Sequence, residues 1–360
     1  MISRKSFRNL ILQVHLWIGI ASALFLFLAG ASGALLVFEE QIDGILNPGL
    51  TRVTPSGNIL SLTDLKESLE RQYPGYRALG FSLAESPSAA YGAYLQPASG
   101  QGIGVAVNPY TGKALGVWDQ NRFVQRLHLF HTRLLAGEVG SDIVAWASVI
   151  LVLLSLSGLF LWWRSKVFGF HFQSEGAKFQ YDLHSTVGVV SMMFLLAFAL
   201  TGIVVHWEGP ARKWANQISK QEVRMPIPAV AKPMPGATPL DPARLLQAAR
   251  VAVPGARPTG INLPEDEDSP VMVGFKFPED HTPAGRTRVF LNPYTGGVLS
   301  LTSSREAPAA VSYVTRINRE IHTGDIGGRP TRIVAAIFSL SLPLLAISGP
   351  LLWWYRRQRS

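Results

Sequence analysis

One spacing occurs twice in this chain and limits what it can fold into. A histidine precedes a glycine by 18 residues inside an apolar run at His15 and Gly33, and again at His184 and Gly202. His131 and His322 form a second matched set. Each is followed 27 residues later by a glycine (Gly158, Gly349) and 31 residues later by a Trp-Trp pair (Trp162-Trp163, Trp353-Trp354). The same pentapeptide also recurs, as Asn108-Pro109-Tyr110-Thr111-Gly112 and Asn292-Pro293-Tyr294-Thr295-Gly296. The chain is a tandem duplication with four histidines held in register. Ionisable side chains at membrane depth are costly, so these four are functional candidates.

Hydrophobic residues make up 48% of the chain and charged residues 16%, a balance that suits a membrane protein. Four apolar segments, Ile11–Phe38, Ile143–Trp163, Leu183–Trp207 and Ile333–Tyr355, are long enough to cross roughly 30 Å of hydrocarbon. Pro343 is the proline deepest in a span and is expected to kink the fourth helix. Basic residues set the orientation. Arg4, Lys5 and Arg8 precede the first span, Arg164, Lys166 and Lys178 lie in the short middle loop, and Arg356, Arg357 and Arg359 end the chain. All three groups belong on the cytoplasmic side. The expected organisation is a cytoplasmic N-terminus with the first span (1–38), an external module (39–142), the second span (143–163) and a cytoplasmic loop (164–182). The third span (183–207), a second external module (208–332), the fourth span (333–355) and a short tail (356–360) complete it. The net charge of +9 is partly these anchors, so it carries no nucleic-acid signal. The first span exceeds the 7–15 residues of a signal-peptide core and reads as an uncleaved anchor.

Each external segment is expected to hold a helix followed by strands. In the first, Ser61 and Asp64 resemble a capping box opening a helix over Leu62–Gln72, with strands at Tyr76–Leu83, Tyr91–Leu95, Ile103–Val107 and Lys113–Val117. In the second, Asp241-Pro242 starts a helix over Ala243–Val253, with strands at Pro258–Leu263, Val271–Phe277, Thr287–Leu291 and Gly297–Leu301. The shared pentapeptide is a turn between the last two strands of each set.

A helix plus strands ending in Asn-Pro-x-Thr-Gly is similar to a PepSY module. Together with Val14-His15-Leu16-Trp17-Ile18-Gly19, Phe130-His131-Thr132-Arg133-Leu134-Leu135 and Asp182-Leu183-His184-Ser185-Thr186-Val187-Gly188, nearly the whole chain resembles the PepSY-associated transmembrane proteins. Around His322 the chain departs from that pattern, with Gly324-Asp325 where leucines are usual. The resemblance implies an inner-membrane ferrisiderophore reductase that passes electrons through b-type haems to ferric siderophore in the periplasm.

Both repeats run in–out–in, so a pseudo-two-fold axis along the membrane normal should relate them. His15 lies seven residues after Arg8 and His184 six after Lys178, at equal depth near the cytoplasmic face. His131 and His322 lie at the opposite ends of the second and fourth helices. Each symmetric pair can face across the axis and fill both axial positions of a planar macrocycle. The expected cofactor is therefore haem b, two per chain, with His15 and His184 on an inner iron and His131 and His322 on an outer one. With no cysteine, thiolate-ligated haem, iron–sulfur clusters and covalent haem attachment are excluded. Zinc competes as a histidine-bound ion, but two pairs without nearby cysteine or carboxylate suit a tetrahedral site poorly.

His128, His206, Arg126 and Arg133 are secondary candidates. His128 is one turn before His131, and its register counterpart is Arg319, which suggests a polar role. His206 aligns with Val37, so it breaks the repeat and is a candidate replacement for His322 or a group on the substrate side. Arg126, Arg133, Arg316 and Arg332 cluster where haem propionates or an anionic ferric chelate could pair with them, or form a solvated basic rim. His171 and His281 fall in polar loops, and the Trp pairs read as interfacial anchors.

The expected partners are a ferric siderophore or other ferric chelate outside, an unidentified cytoplasmic or quinol electron donor, and the lipid bilayer. No Gly-x-Gly-x-x-Gly lies between a strand and a helix, so a donor must be separate. A second class of function is a membrane-anchored regulator or inhibitor of a periplasmic peptidase, since PepSY modules also resemble protease propeptide segments. Four membrane histidines in register have no purpose under that reading. A third class, a transporter, is disfavoured because four helices are few for alternating access.

Overall fold

Hydrocarbon offers no partner for a backbone amide, so an apolar run that crosses it must satisfy its own N–H and C=O groups as helix. The computed structural model describes residues 4–118, 122–166, 168–169, 175–220 and 237–358. The helices of the first repeat are α1 (Arg4–Leu36), α2 (Glu39–Leu46), α3 (Pro48–Thr51), α4 (Leu62–Gln72), α5 (Phe123–Arg133) and α6 (Gly137–Ser165). Those of the second are α7 (Ala177–His206), α8 (Glu208–Ser219), α9 (Pro242–Ala252), α10 (Ala309–Ser312), α11 (Asn318–Thr323) and α12 (Arg329–Arg357). Strands β1 (Tyr76–Ser82), β2 (Tyr91–Pro97), β3 (Ile103–Val107) and β4 (Ala114–Val117) follow α4. Strands β5 (Arg257–Asn262), β6 (Val271–Lys276), β7 (Thr287–Leu291) and β8 (Val298–Thr302) follow α9. They sort into a helical unit (4–39, 123–215, 313–358) and a sheet unit (40–118, 122, 216–220, 237–312).

In the helical unit α1, α6, α7 and α12 are each long and apolar enough to cross a membrane. The chain is a multi-pass membrane protein. Its helices outrun the apolar spans, α1 starting at Arg4 and α7 at Ala177. Hydropathy marks only the hydrocarbon, whereas the helix continues through the polar turns beyond it. At the centre, Leu26, Leu151, Leu195 and Leu342, one from each span, are buried together with Ala199. Leu26 and Leu195 occupy matching positions, as do Leu151 and Leu342, so this core layer obeys the repeat.

α1 and α12 meet at Gly30, where a Cβ would lie 2.7 Å from Pro343 Cδ and 2.8 Å from the Ser339 carbonyl oxygen. Pro343 has no N–H to give that carbonyl. Gly30 fills the space beside it, and Ser339 donates its hydroxyl to the Gly30 carbonyl at 3.0 Å.

The sheet unit is one antiparallel sheet of eight strands in the order β4-β3-β2-β1-β5-β6-β7-β8. The two modules are therefore halves of a single sheet, joined where Gly80, Phe81 and Ser82 pair with Asn262, Ile261 and Gly260. Helices α4 and α9 pack on a core that includes Leu65, Leu69, Leu95, Leu245, Phe275 and Leu291. Each helix is capped as its sequence foretells, Ser61 Oγ accepting the Asp64 N–H at 3.1 Å and Asp241 Oδ1 the Arg244 N–H at 3.0 Å. Both pentapeptides form the expected turn. Asn108 and Asn292 each accept the N–H two residues on at 2.9 Å, and Gly112 and Gly296 adopt φ of 71° and 70°.

Candidate functional site: two histidine pairs

Each histidine pair draws one ring from each repeat. His15 on α1 faces His184 on α7, ring centroids 6.3 Å apart and planes at 84°. His131 on α5 faces His322 on α11 at 6.4 Å, with planes at 49°. A metal–imidazole bond of about 2.0–2.1 Å plus about 1.1 Å from nitrogen to ring centre places two rings bound to opposite sides of one ion roughly 6.3 Å apart. Both pairs match that figure.

The hydrogen bonds identify the nitrogen left for a ligand. His15 Nδ1 lies 2.8 Å from Ser157 Oγ, His131 Nδ1 2.9 Å from Ser32 Oγ, and His184 Nδ1 2.9 Å from Ser348 Oγ. His322 Nδ1 lies 3.0 Å from Thr201 Oγ1 and 3.1 Å from the Phe198 carbonyl oxygen. A hydroxyl has one proton, and Ser32, Ser157 and Thr201 donate theirs to the carbonyls of Leu28, Leu153 and Ala197 at 2.6, 2.7 and 2.5 Å. Ser348 does the same toward Leu345 more loosely, at 3.4 Å. Each hydroxyl oxygen must therefore accept Nδ1–H. The neutral tautomer so fixed presents a bare Nε2, and among the described residues no hydrogen bond engages Nε2 of these four. Partners that orient a ligating histidine through its second nitrogen are a regular feature of metal sites.

The register glycines explain how the rings fit. A Cβ would stand 3.1 Å from His131 Cε1 at Gly33, 3.3 Å from His15 Cε1 at Gly158, 3.3 Å from His322 Cε1 at Gly202 and 3.2 Å from His184 Cε1 at Gly349. Each ring edge rests on a bare glycine backbone one residue after its hydroxyl partner. Within a repeat the exchange is reciprocal. α1 supplies His15 and receives His131 at Ser32-Gly33, while α6 receives His15 at Ser157-Gly158. The second repeat does the same with His184, Ser348-Gly349, His322 and Thr201-Gly202.

The hydroxyl partners were not among the residues singled out from sequence. Their signal is nonetheless plain in retrospect, because Ser or Thr stands immediately before the register glycine in all four spans.

His131 and His322 sit on short helices rather than on the spans themselves. Burial pushes His131 down to about 4, with His322 and His128 adding to the effect, and burial also lowers His322. Both rings are thus neutral at pH 7, the form that can bind a metal.

The secondary candidates lie elsewhere. His206 is engaged at both nitrogens, Nδ1 with Ser141 Oγ at 3.1 Å and Nε2 with Asp142 Oδ1 at 3.2 Å, so it clasps α7 to α6 instead of replacing His322. Its register mate Val37 accepts from Arg332 Nε at 2.9 Å, the matching α1–α12 clasp with different chemistry. His128 stands 3.7 Å from Glu39, and Arg133 pairs with Glu138 at 2.7 Å. Arg126 is exposed on α5, His281 is exposed after β6, and His171 falls outside the described residues.

Among the described residues no three His, Cys, Asp or Glu side chains converge as a metal-binding group. The donor set at each place is two imidazoles, one from each repeat. Two imidazoles with no third protein donor suit a group that would bring its own equatorial nitrogens, such as a haem, better than a tetrahedral ion.

A family model described as the PepSY-associated TM region matches residues 12–356. A comparison with curated proteins finds no match.

Proposed function

The chain belongs to the PepSY-associated transmembrane family, and from that premise we propose that it is a di-haem b electron-transfer protein of the bacterial inner membrane. In this reading it reduces a ferric siderophore, or another ferric chelate, on the periplasmic side with electrons taken from the cytoplasmic side. The observation that carries the reading is the pair of imidazole gaps, 6.3 and 6.4 Å between centroids, each with Nδ1 tied to a hydroxyl.

Basic residues at the N-terminus, middle loop and C-terminus support cytoplasmic placement of those segments. His15 and Gly33 mark the two sites on α1, and 18 residues of helix separate them by about 27 Å, close to the thickness of the hydrocarbon. One site then serves each face. Held there by His15 and His184 and by His131 and His322, haem would supply one-electron transfer.

The protein's own contribution is orientation and insulation. Ser157, Ser348, Ser32 and Thr201 hold each imidazole in one tautomer. The register glycines allow each ring to reach the axis. The leucine layer keeps water out of the space between the sites. No nucleotide-binding fingerprint is present, so the electron donor is a separate protein, a quinol or a soluble reduced cofactor.

The test is an absorption spectrum of the detergent-purified protein, oxidised and dithionite-reduced, with a pyridine haemochrome count. About two haems per chain with a b-type reduced band, reoxidised on mixing with a ferric chelate, is the expected result. A colourless protein after expression with adequate haem would end the proposal and favour a membrane-anchored peptidase regulator.

A further inference from the structure

Helix α8 begins one residue after the membrane-spanning α7, at a bend on Trp207, where φ is −98° and ψ is 39°. Its apolar residues Pro210, Trp214 and Ile218 recur every four positions and so lie in one stripe. That stripe faces outward, with Trp214 65% and Ile218 54% exposed, while Ala215 on the adjoining side is buried against the protein. Lys213 borders the stripe and is exposed. At the foot of the helix Trp207 packs edge-on against Trp146 at 6.2 Å, and Trp146 is itself 60% exposed.

We propose that the Pro210–Trp214–Ile218 stripe of α8 lies on the surface of the bilayer that α7 has just crossed, with Lys213 against the phosphates of anionic phospholipids. Continuity selects this occupant. The helix emerges from the span at an indole pair of the kind that sits at headgroup level. An amphipathic helix with a tryptophan in its apolar face and a lysine on its flank is built for that boundary. The charge pattern agrees. In the first repeat the register mate of Trp214 is Ile45, also 71% exposed, but Arg212 and Lys213 are replaced by Asp43 and Gly44. An exposed apolar residue therefore recurs at this register position in both repeats, and the cationic flank belongs to α8. The inference needs only the membrane spans and is independent of the haem reading.

The chain has no cysteine, so a single introduced one is a unique labelling site. Trp214→Cys, Ile218→Cys and, as a control on the opposite side of the helix, Gly209→Cys would carry a nitroxide in full-length protein in nanodiscs. A Cβ at Gly209 meets nothing within 4 Å. Dissolved oxygen concentrates in lipid and a nickel chelate stays in water, so their collision rates report the surroundings of each label. Oxygen should exceed nickel several-fold at 214 and 218, with the order reversed at 209. Lys213→Glu should lower the ratio at 218 in nanodiscs containing anionic phospholipid and leave it unchanged in zwitterionic ones. Nickel access at 214 and 218 equal to that at 209 would overturn the proposal, as would labels shielded from both reagents by a second copy or another protein. If Trp214→Cys does not fold, Ile218→Cys carries the test alone.

Discussion

The two histidine pairs use one chemical code on two kinds of scaffold. At the His15–His184 pair both rings project from the interior of unbroken spans, α1 and α7, and their planes stand nearly perpendicular at 84°. At the His131–His322 pair both rings project from short helices that break before the next span begins, and the planes close to 49°. The breaks are made differently. After α5, Leu134 and Leu135 adopt left-handed φ of 49° and 57°, whereas after α11 the glycines Gly324 and Gly328 take φ of 79° and 69°. What the pairs share is the hydroxyl and the glycine on the receiving helix. The receiving helix thus defines a site, and the delivering segment sets the orientation of the ring.

The largest effect that could break this comparison is the loss of a ligand. If the pairs are separate sites, His15→Ala and His131→Ala should each reduce haem from about two to about one per chain. Loss of both haems from either single variant would show that the sites depend on each other. The ferric spectra sharpen the contrast. Perpendicular imidazole planes leave the two iron dπ orbitals close in energy, which widens the spread of g values. Electron paramagnetic resonance should therefore show two low-spin signals, and His15→Ala should remove the more anisotropic one.

Crowding the receiving glycine should come next. Gly158→Leu and Gly33→Leu place a side chain where ring carbons already stand 3.3 and 3.1 Å from a bare Cβ position. The first should empty only the His15 site and the second only the His131 site, as read by haem count and the same two signals.

Smaller effects should follow loss of a hydroxyl. Ser157→Ala and Ser348→Ala should weaken haem retention about 10- to 100-fold, the usual cost of an outer partner, and Ser157→Thr should restore it. Thr201→Val should cost about as much as either, because the carbonyls of Leu154, Leu345 and Phe198 stand as second acceptors beside His15, His184 and His322 alike. A loss at Thr201 far below that at Ser348 would show that only the Phe198 carbonyl takes over from the hydroxyl.

The smallest effect concerns the broken helices. Leu135 is 49% exposed and left-handed, so Leu135→Gly removes a strain of about 1–2 kcal/mol while adding about 0.5–1 kcal/mol of chain entropy. A gain between about 0 and 1.5 kcal/mol in thermal melts is expected. Gly324→Ala should act in the opposite direction, since its Cβ would meet Ala335 Cβ at 2.6 Å.

Much of this was legible because the duplication doubled every signal. The four spans, the two strand sets and the four histidines could each be checked against a second copy, and the strands lie within two residues of their expected ends. The hydroxyl partners were hidden because a serine in an apolar helix ordinarily bonds its own preceding turn. Ser32 and Ser157 do that and accept from a histidine on another segment as well, a contact that only packing brings about. The β1–β5 junction was equally invisible. It joins strands of different repeats through three residue pairs, and no turn connects them. His206 and Arg133 show the converse limit. Their residue types suit a haem pocket, but nearby Asp142 and Glu138 engage them first.

The junction between β1 and β5 also bears on how such a chain could arise. The two strands run antiparallel and pair Phe81 with its register mate Ile261, so each presents the same edge to the other. That is the self-complementary contact of a two-fold dimer. Producing the repeats as two separate chains and measuring whether they copurify with haem would test whether the contact holds unlinked. A polypeptide of half this length would carry one histidine of each pair and would bare the β1 edge as well as that of β4. Pairing with its own copy would cover the β1 edge and bring together both histidine pairs, so fusion of two such genes would have joined an assembly that already held these contacts.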